Sequence, residues 1–284
     1  MINRRIKNTE IFFNTKKIYS SDPDLIKAVD ASRRSQQFIG CCDTVTVPDA
    51  QYRSAAKVTV SEKRSIEAAM PYAAADKKVC VLNFASATNP GGGVVVGAST
   101  QEEAICRCTT LYPCLDAKDM RNRFYNPHRN ANDPLYNDDC IYTPGVYIIK
   151  SDIDFPEPLP KSDWHKIDIL TCAAPNLREK PSNAMNPNAG SMAANVTEEQ
   201  LINLMNSRIR RIFEIAAANK NEVLILGAFG CGAFRNPPKL VAKVFSDVMS
   251  YYLNYFETVE YAVYHKPHET VNYEEFQLAM KKYL

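Results

Sequence analysis

The chain has 284 residues, 45% hydrophobic and 23% charged, with a formal net charge of +2. That composition is the ordinary globular one and excludes a disordered or fibrous chain, and a chain near this length buries roughly three quarters of its unfolded surface, enough for a full core. Charges of both signs run throughout, so there is no broad footprint for sequence-specific nucleic-acid binding, and no apolar run approaches a membrane span.

The opening stretch MINRRIKNTEIFFNTKKIYS has basic residues but lacks the apolar run of a signal peptide. To about Ala75 the pattern is helical with short extended pieces. Asp22-Pro23 predicts a helix start, with Asp as cap and Pro at the first helical position. A second helix is expected after Ser61, through Ile66, Ala69 and Met70. From residue 78, apolar bursts at Val79–Phe84, Val146–Ile149, Ile167–Ala173, Val223–Leu226 and Val259–Val263 read as strands. Between Asp116 and Asp139 the chain is rich in Asn, Asp and Pro and reads as a long surface excursion, its Arg121, Arg123 and Arg129 as solvated charges. Thr197-Glu198-Glu199-Gln200 is a capping box, followed by Leu201, Leu204, Met205, Ile209, Ile212 and Phe213 at helical spacing. Another helix is expected after Pro237-Pro238. Strands alternating with helices imply an α/β fold with three α/β/α layers. Residues 1–77 are expected as a mainly helical accessory segment packed on a core of residues 78–284.

Nine cysteines, an odd number, fit free thiols in a reducing compartment, hence the cytoplasm. Cys106, Cys108 and Cys114 lack the paired spacing of a zinc site, and His265 and His268 read as solvated, so no metal is expected.

Two glycine-rich loops each leave the carboxyl end of a predicted strand: Asn83 to Gly93 and Leu226 to Asn236. Ligands of open α/β sheets bind at that end, and consecutive glycines let the backbone approach a phosphate. Neither loop is a P-loop or a dinucleotide fingerprint: there is no GxxxxGK[ST], and the second loop reads GxxGxG. The first loop leads into Thr100-Gln101-Glu102-Glu103, a helix start. Thr-x-x-Glu is also a capping box, which would occupy Glu103 with the Thr100 amide. Its place after the glycine loop supports a second reading, a carboxyl group beside the bound ligand.

At these residues the chain resembles the bacterial-type poly(ADP-ribose) glycohydrolases, a macrodomain family with a GGG-x(6–8)-QEE signature. Here the signature is Gly91-Gly92-Gly93, VVVGAST, then Gln101-Glu102-Glu103. NFASATNPGGG, CRCTTLY, DDCIYTPGV, TCAAPN and LGAFGCGAFRNPP follow in the family's order, over roughly Ile11 to His265. The resemblance implies a macrodomain with a mixed central sheet. It also implies cleavage of the ribose–ribose bond of poly(ADP-ribose) from chain ends, releasing ADP-ribose without a cofactor.

By the same resemblance Glu103 is the acid/base and Glu102 holds ribose hydroxyls. Ser86, Asn89, Gly91, Gly92, Gly93 and Gln101 bind the distal ribose and diphosphate. Gly230, Cys231, Gly232 and Ala233 close over the diphosphate, with Phe234 fixing the terminal ribose. Thr171 and Asn176 match a family motif without an assigned role, and Ser99 stands where the family carries an arginine. The expected partners are poly(ADP-ribose) or ADP-ribosylated macromolecules. Two alternatives stay open: a macrodomain that binds ADP-ribose without cleaving it, and a hydrolase of single ADP-ribosyl conjugates.

Overall fold

A computed structural model describes residues 3–183, 187 and 189–284. The short apolar runs form one seven-stranded sheet in the order β1-β4-β5-β3-β6-β7-β2. Its strands are β1 (Gln37–Ile39), β2 (Lys57–Ser61), β3 (Val79–Phe84), β4 (Cys140–Ile148), β5 (His165–Cys172), β6 (Val223–Leu226) and β7 (Thr258–Ala262). β1, β4 and β5 pair antiparallel, and β5, β3, β6, β7 and β2 run parallel, so the sheet is mixed. Both sheet edges, β1 and β2, come from the first 77 residues. The stretch expected as an accessory segment therefore completes the sheet itself.

Alternation along the strands divides the core in two. Cys80, Leu82, Leu170, Leu224, Val259 and Tyr261 face the layer of α8 (Glu198–Ala218), α9 (Pro238–Met249) and α10 (Val271–Met280). Val79, Val81, Ile169, Val223 and Ile225 face the other side. That side is covered by α1 (Arg4–Ser21), α3 (Ser65–Ala74) and α4 (Gln101–Cys108), while α2 (Pro23–Ser35) packs on β4. Helix starts follow the expected chemistry. The Asp22 carboxylate accepts from Asp24 N–H at 3.0 Å and Leu25 N–H at 3.3 Å. Thr197 and Gln200 exchange reciprocal bonds at the start of α8.

Residues 116–139 correct the sequence reading. The stretch from Tyr112 coils into α5 (Tyr112–Leu115), α6 (Lys118–Met120), a wider helical turn at Arg121–Tyr125 and α7 (Asn126–Ala131). Met120, Phe124, Tyr125 and His128 are buried. The polar residues coat a packed helical corner rather than a loose excursion. His265 is likewise not solvated: its side chain is 11% exposed, 3.5 Å from the Glu62 carboxylate and beside the Tyr273 ring. No helix among the described residues is long and apolar enough to cross a membrane.

Candidate active site

The two glycine loops and the start of α4 meet over the carboxyl ends of β3, β6 and β7. There they line a cleft of about 610 Å³, within the usual range for small-molecule sites. Ser86, Asn89, Gly92, Gly93, Gln101, Glu102, Glu103, Gly230, Gly232, Ala233 and Phe234 all face it. Gly91 and Cys231 do not line it: Gly91 faces Tyr112 and Cys106, and Cys231 packs against the α8–α9 side of the core.

The first wall is built from β3 outward. Asn83 continues the face of Val79 and Val81, the face that α4 covers. Its amide nitrogen therefore reaches Glu102 Oε1, at 3.4 Å, and the hydroxyl of its sheet neighbour Thr171, at 3.2 Å. Gln101 ties the first turn of α4 to the strand: its oxygen accepts from Phe84 N–H at 2.9 Å. Its nitrogen donates to Leu82 O at 2.7 Å and Ser65 Oγ at 3.0 Å. Gln101 borders the cleft, but its amide is committed to protein partners.

Glu102 and Glu103 are both buried, 2% and 5% exposed. Glu102 Oε2 accepts from Ser86 N–H at 2.7 Å. Glu103 Oε1 accepts from Gly93 N–H at 2.8 Å, and its Oε2 from the amide and hydroxyl of Thr100. The capping box and the carboxyl beside the loop thus coexist in one side chain. Both carboxylates converge on Gly92, whose φ is +57°. A Cβ there would lie 2.4 Å from Glu103 Oε1 and 3.0 Å from Glu102 Oε2, so only glycine fits. Burial, and then the charge of Glu103, push the Glu102 carboxyl well above the usual carboxylate range, against the donors from Ser86, Asn83 and Gly91. Glu102 is therefore held toward its neutral form.

Further side chains brace this wall. Ser86 Oγ accepts from the amides of Thr88 and Asn89. Arg129, expected as a solvated charge, instead donates to Thr88 O at 2.5 Å and Asn89 Oδ1 at 3.1 Å. Arg121 pairs with Asp116, and Arg123 lies over the Phe38 ring. α1 presses its backbone on the loop's far end: a Cβ on Gly97 would sit 2.1 Å from Arg5 O, and Asn8 donates to Gly97 O. Buried Arg107 donates to Ala98 O at 2.6 Å, next to Ser99. None of Asn83, Arg107 and Arg129 was marked by spacing in the sequence. For Asn83 the signal was its place at the head of the NFASATNPGGG match, without a role assigned.

The second wall is simpler. Asn236 donates to Pro175 O at 2.7 Å and Gly230 O at 3.1 Å, fastening the loop's end. Phe234 O accepts from Leu177 N–H, and its ring lies 6.1 Å from that of Tyr136. Asn176, left without a role by its motif, accepts from Arg178 N–H and donates to Pro181 O, shaping the adjoining turn. Among the described residues, the amides of Gly230, Gly232, Ala233 and Phe234 donate to no protein acceptor. Four such amides bordering one cleft suit an anionic ligand.

The profile of the microbial-type PARG catalytic domain matches residues 6–151. Poly(ADP-ribose) glycohydrolase from Thermomonospora curvata superposes with a TM-score of 0.82 at 26% identity, covering 97% of this chain and 100% of that one. The same enzyme bound to the inhibitor ADP-HPD gives 0.80 at 26% identity, covering 96% and 99%. Poly(ADP-ribose) glycohydrolase from Deinococcus radiodurans in complex with ADP-ribose gives 0.72 at 27% identity, covering 90% and 98%. No curated protein sequence matches.

Proposed function

This chain belongs to the microbial-type PARG catalytic-domain family, and from that premise we propose that Glu103 is the acid/base with which it releases ADP-ribose from polymer ends. The protein is a glycosidase, a poly(ADP-ribose) glycohydrolase. The observation that carries the residue assignment is the burial of Glu103 over Gly92, tied at once to the glycine loop and to its own helix start.

In this reading the protonated Glu103 passes its proton to the 2′ oxygen leaving the ribose–ribose bond. The C–O bond breaks with its electron pair on that oxygen, leaving an oxocarbenium-like ribose. Water then adds to the anomeric carbon and its proton returns to Glu103, which ends as it began. Glu102 hydrogen-bonds the ribose hydroxyls and positions the scissile bond. The second loop's amides take the diphosphate, whose charge faces the developing cation, and Phe234 bounds the terminal ribose. No cofactor is called on, and ADP-ribose is the product. ADP-ribosylated macromolecules are the expected carriers of the polymer. A cytoplasmic location belongs to the same reading, supported by nine cysteines without a disulfide.

The test is a time course on poly(ADP-ribose) with products resolved by size, wild type beside Glu103→Gln. Wild type should release ADP-ribose from the first time points without intermediate fragments. The variant should be slower by roughly 100-fold or more while binding ADP-ribose nearly as well. A variant turning over at a near-normal rate ends the assignment of Glu103, and early mid-length fragments end the chain-end reading.

A further inference from the structure

Thr100, the residue before α4, makes two bonds to a single oxygen. Its amide donates to Glu103 Oε2 at 2.9 Å, and its hydroxyl donates to the same atom. Oε1, the oxygen lying against Gly92, accepts from Gly93 N–H. The two oxygens of the buried carboxyl are therefore unequal.

A proton on Oε2 would convert that oxygen into a donor and displace one of its two partners, at the cost of a hydrogen bond. A proton on Oε1 leaves both Thr100 bonds intact, because the carbonyl-like oxygen of a carboxylic acid still accepts twice. Any N-cap residue except proline supplies the amide, but only a hydroxyl side chain supplies the second donor. Thr100 itself is exposed at the cleft rim, so its side chain is not fixed there by core packing.

We propose that Thr100 is a positioning residue: its hydroxyl holds Oε2 as the accepting oxygen and so places the transferable proton on Oε1, over the glycine loop. The inference rests on Glu103 being the acid/base. Thr100 neither gains nor loses a proton. The Oε1 proton goes to the leaving oxygen in the first half-reaction, and the attacking water's proton returns to Oε1 in the second.

Thr100→Val removes the hydroxyl and keeps the shape, and Thr100→Ser keeps the hydroxyl. With polymer as substrate, the valine variant should lose up to about tenfold in kcat, the size of one well-made neutral hydrogen bond. KM and ADP-ribose affinity should stay put, the melting temperature should fall by no more than one lost cap bond explains, and the serine variant should recover most of the rate. A valine variant within twofold of wild type overturns the proposal. So does a serine variant as slow as valine, or a loss that comes with equally weaker ADP-ribose binding. Glu103→Gln run alongside separates the two failures: if it stays active, the acid/base assignment fails first. If it is inactive while Thr100→Val is normal, only the role of Thr100 falls.

Discussion

The two glycine loops differ in what holds them. The first is fastened by three helices: Glu102 and Glu103 from α4, Arg129 from α7, and the backbone and Asn8 of α1. The second packs its backbone on Ala262 at Gly227 and on Ala174 at Gly230 and is fastened by Asn236, but its Gly232 has open space around it. The wall that carries the two buried carboxyl groups is tied down by side chains, and the other wall presents amides without a protein partner. Catalysis gains from donors and acids placed before the substrate arrives, whereas a grip on a flexible polyanion tolerates later adjustment.

The contrast is sharpest in glycine substitutions. Gly92→Ala pushes a methyl group into the Glu103 carboxyl, and displacement of that order costs about 100-fold in turnover. Gly232→Ala meets nothing within 4 Å and should leave turnover within about twofold. Equal losses in the two steady-state assays would erase the distinction between the walls.

Buried ionisable groups also gather behind the first wall. Asp152 accepts from Ile66 N–H at the start of α3, and burial pushes its carboxyl from 3.8 to about 6. Below its ordinary value the group is protonated whether folded or unfolded. As pH rises from about 4 to about 6 the unfolded chain releases the proton first, so the fold loses stability, and above that window the loss is constant. Relative to Asp152→Asn, wild type should therefore lose about 2–3 kcal/mol across the window, measured by urea unfolding at several pH values. Parallel pH curves for the two proteins would show that Asp152 is not the source.

A smaller effect than at Gly92 or Asp152 is expected at Arg129. Arg129→Ala strips donors from Thr88 O and Asn89 Oδ1, worth about 1 kcal/mol or a several-fold weaker hold on ADP-ribose. Calorimetric titration showing unchanged affinity would mean that the loop does not need this brace.

Much of this was legible in the sequence where one local rule decided the outcome. Short apolar runs bounded by turn residues gave β3 and β6, Asp22-Pro23 gave the start of α2, and the Thr197 capping box gave α8. The signature around Gly91 and Glu103 located the first wall. What was hidden depended on distant partners. Residues 116–139 carry a loop-like composition, yet a few aromatic residues, Phe124 and Tyr125 among them, anchor them in the core. Arg129 looks like any surface arginine until the fold brings Thr88 beside it. Gln101 and Cys231 sit inside matching motifs, but which way each points follows from backbone geometry that spacing does not encode. β1 and β2 are short, with mixed polarity, and are strands only because β4 and β7 offer open edges.

Those edge strands set a timetable for the chain as it is made. β2 leaves the ribosome well before its partner β7, Lys57 pairing with Thr258 about 200 residues later. β1 waits for β4 across about 100 residues, Gln37 meeting Tyr142. Such separations place the fold among those whose closing step is slow and non-local. Until β7 emerges, β2 and β6 are open parallel edges, the kind of surface on which nascent chains misassociate. β7 thus joins a strand from the first part of the sequence, β2, to one from the later part, β6.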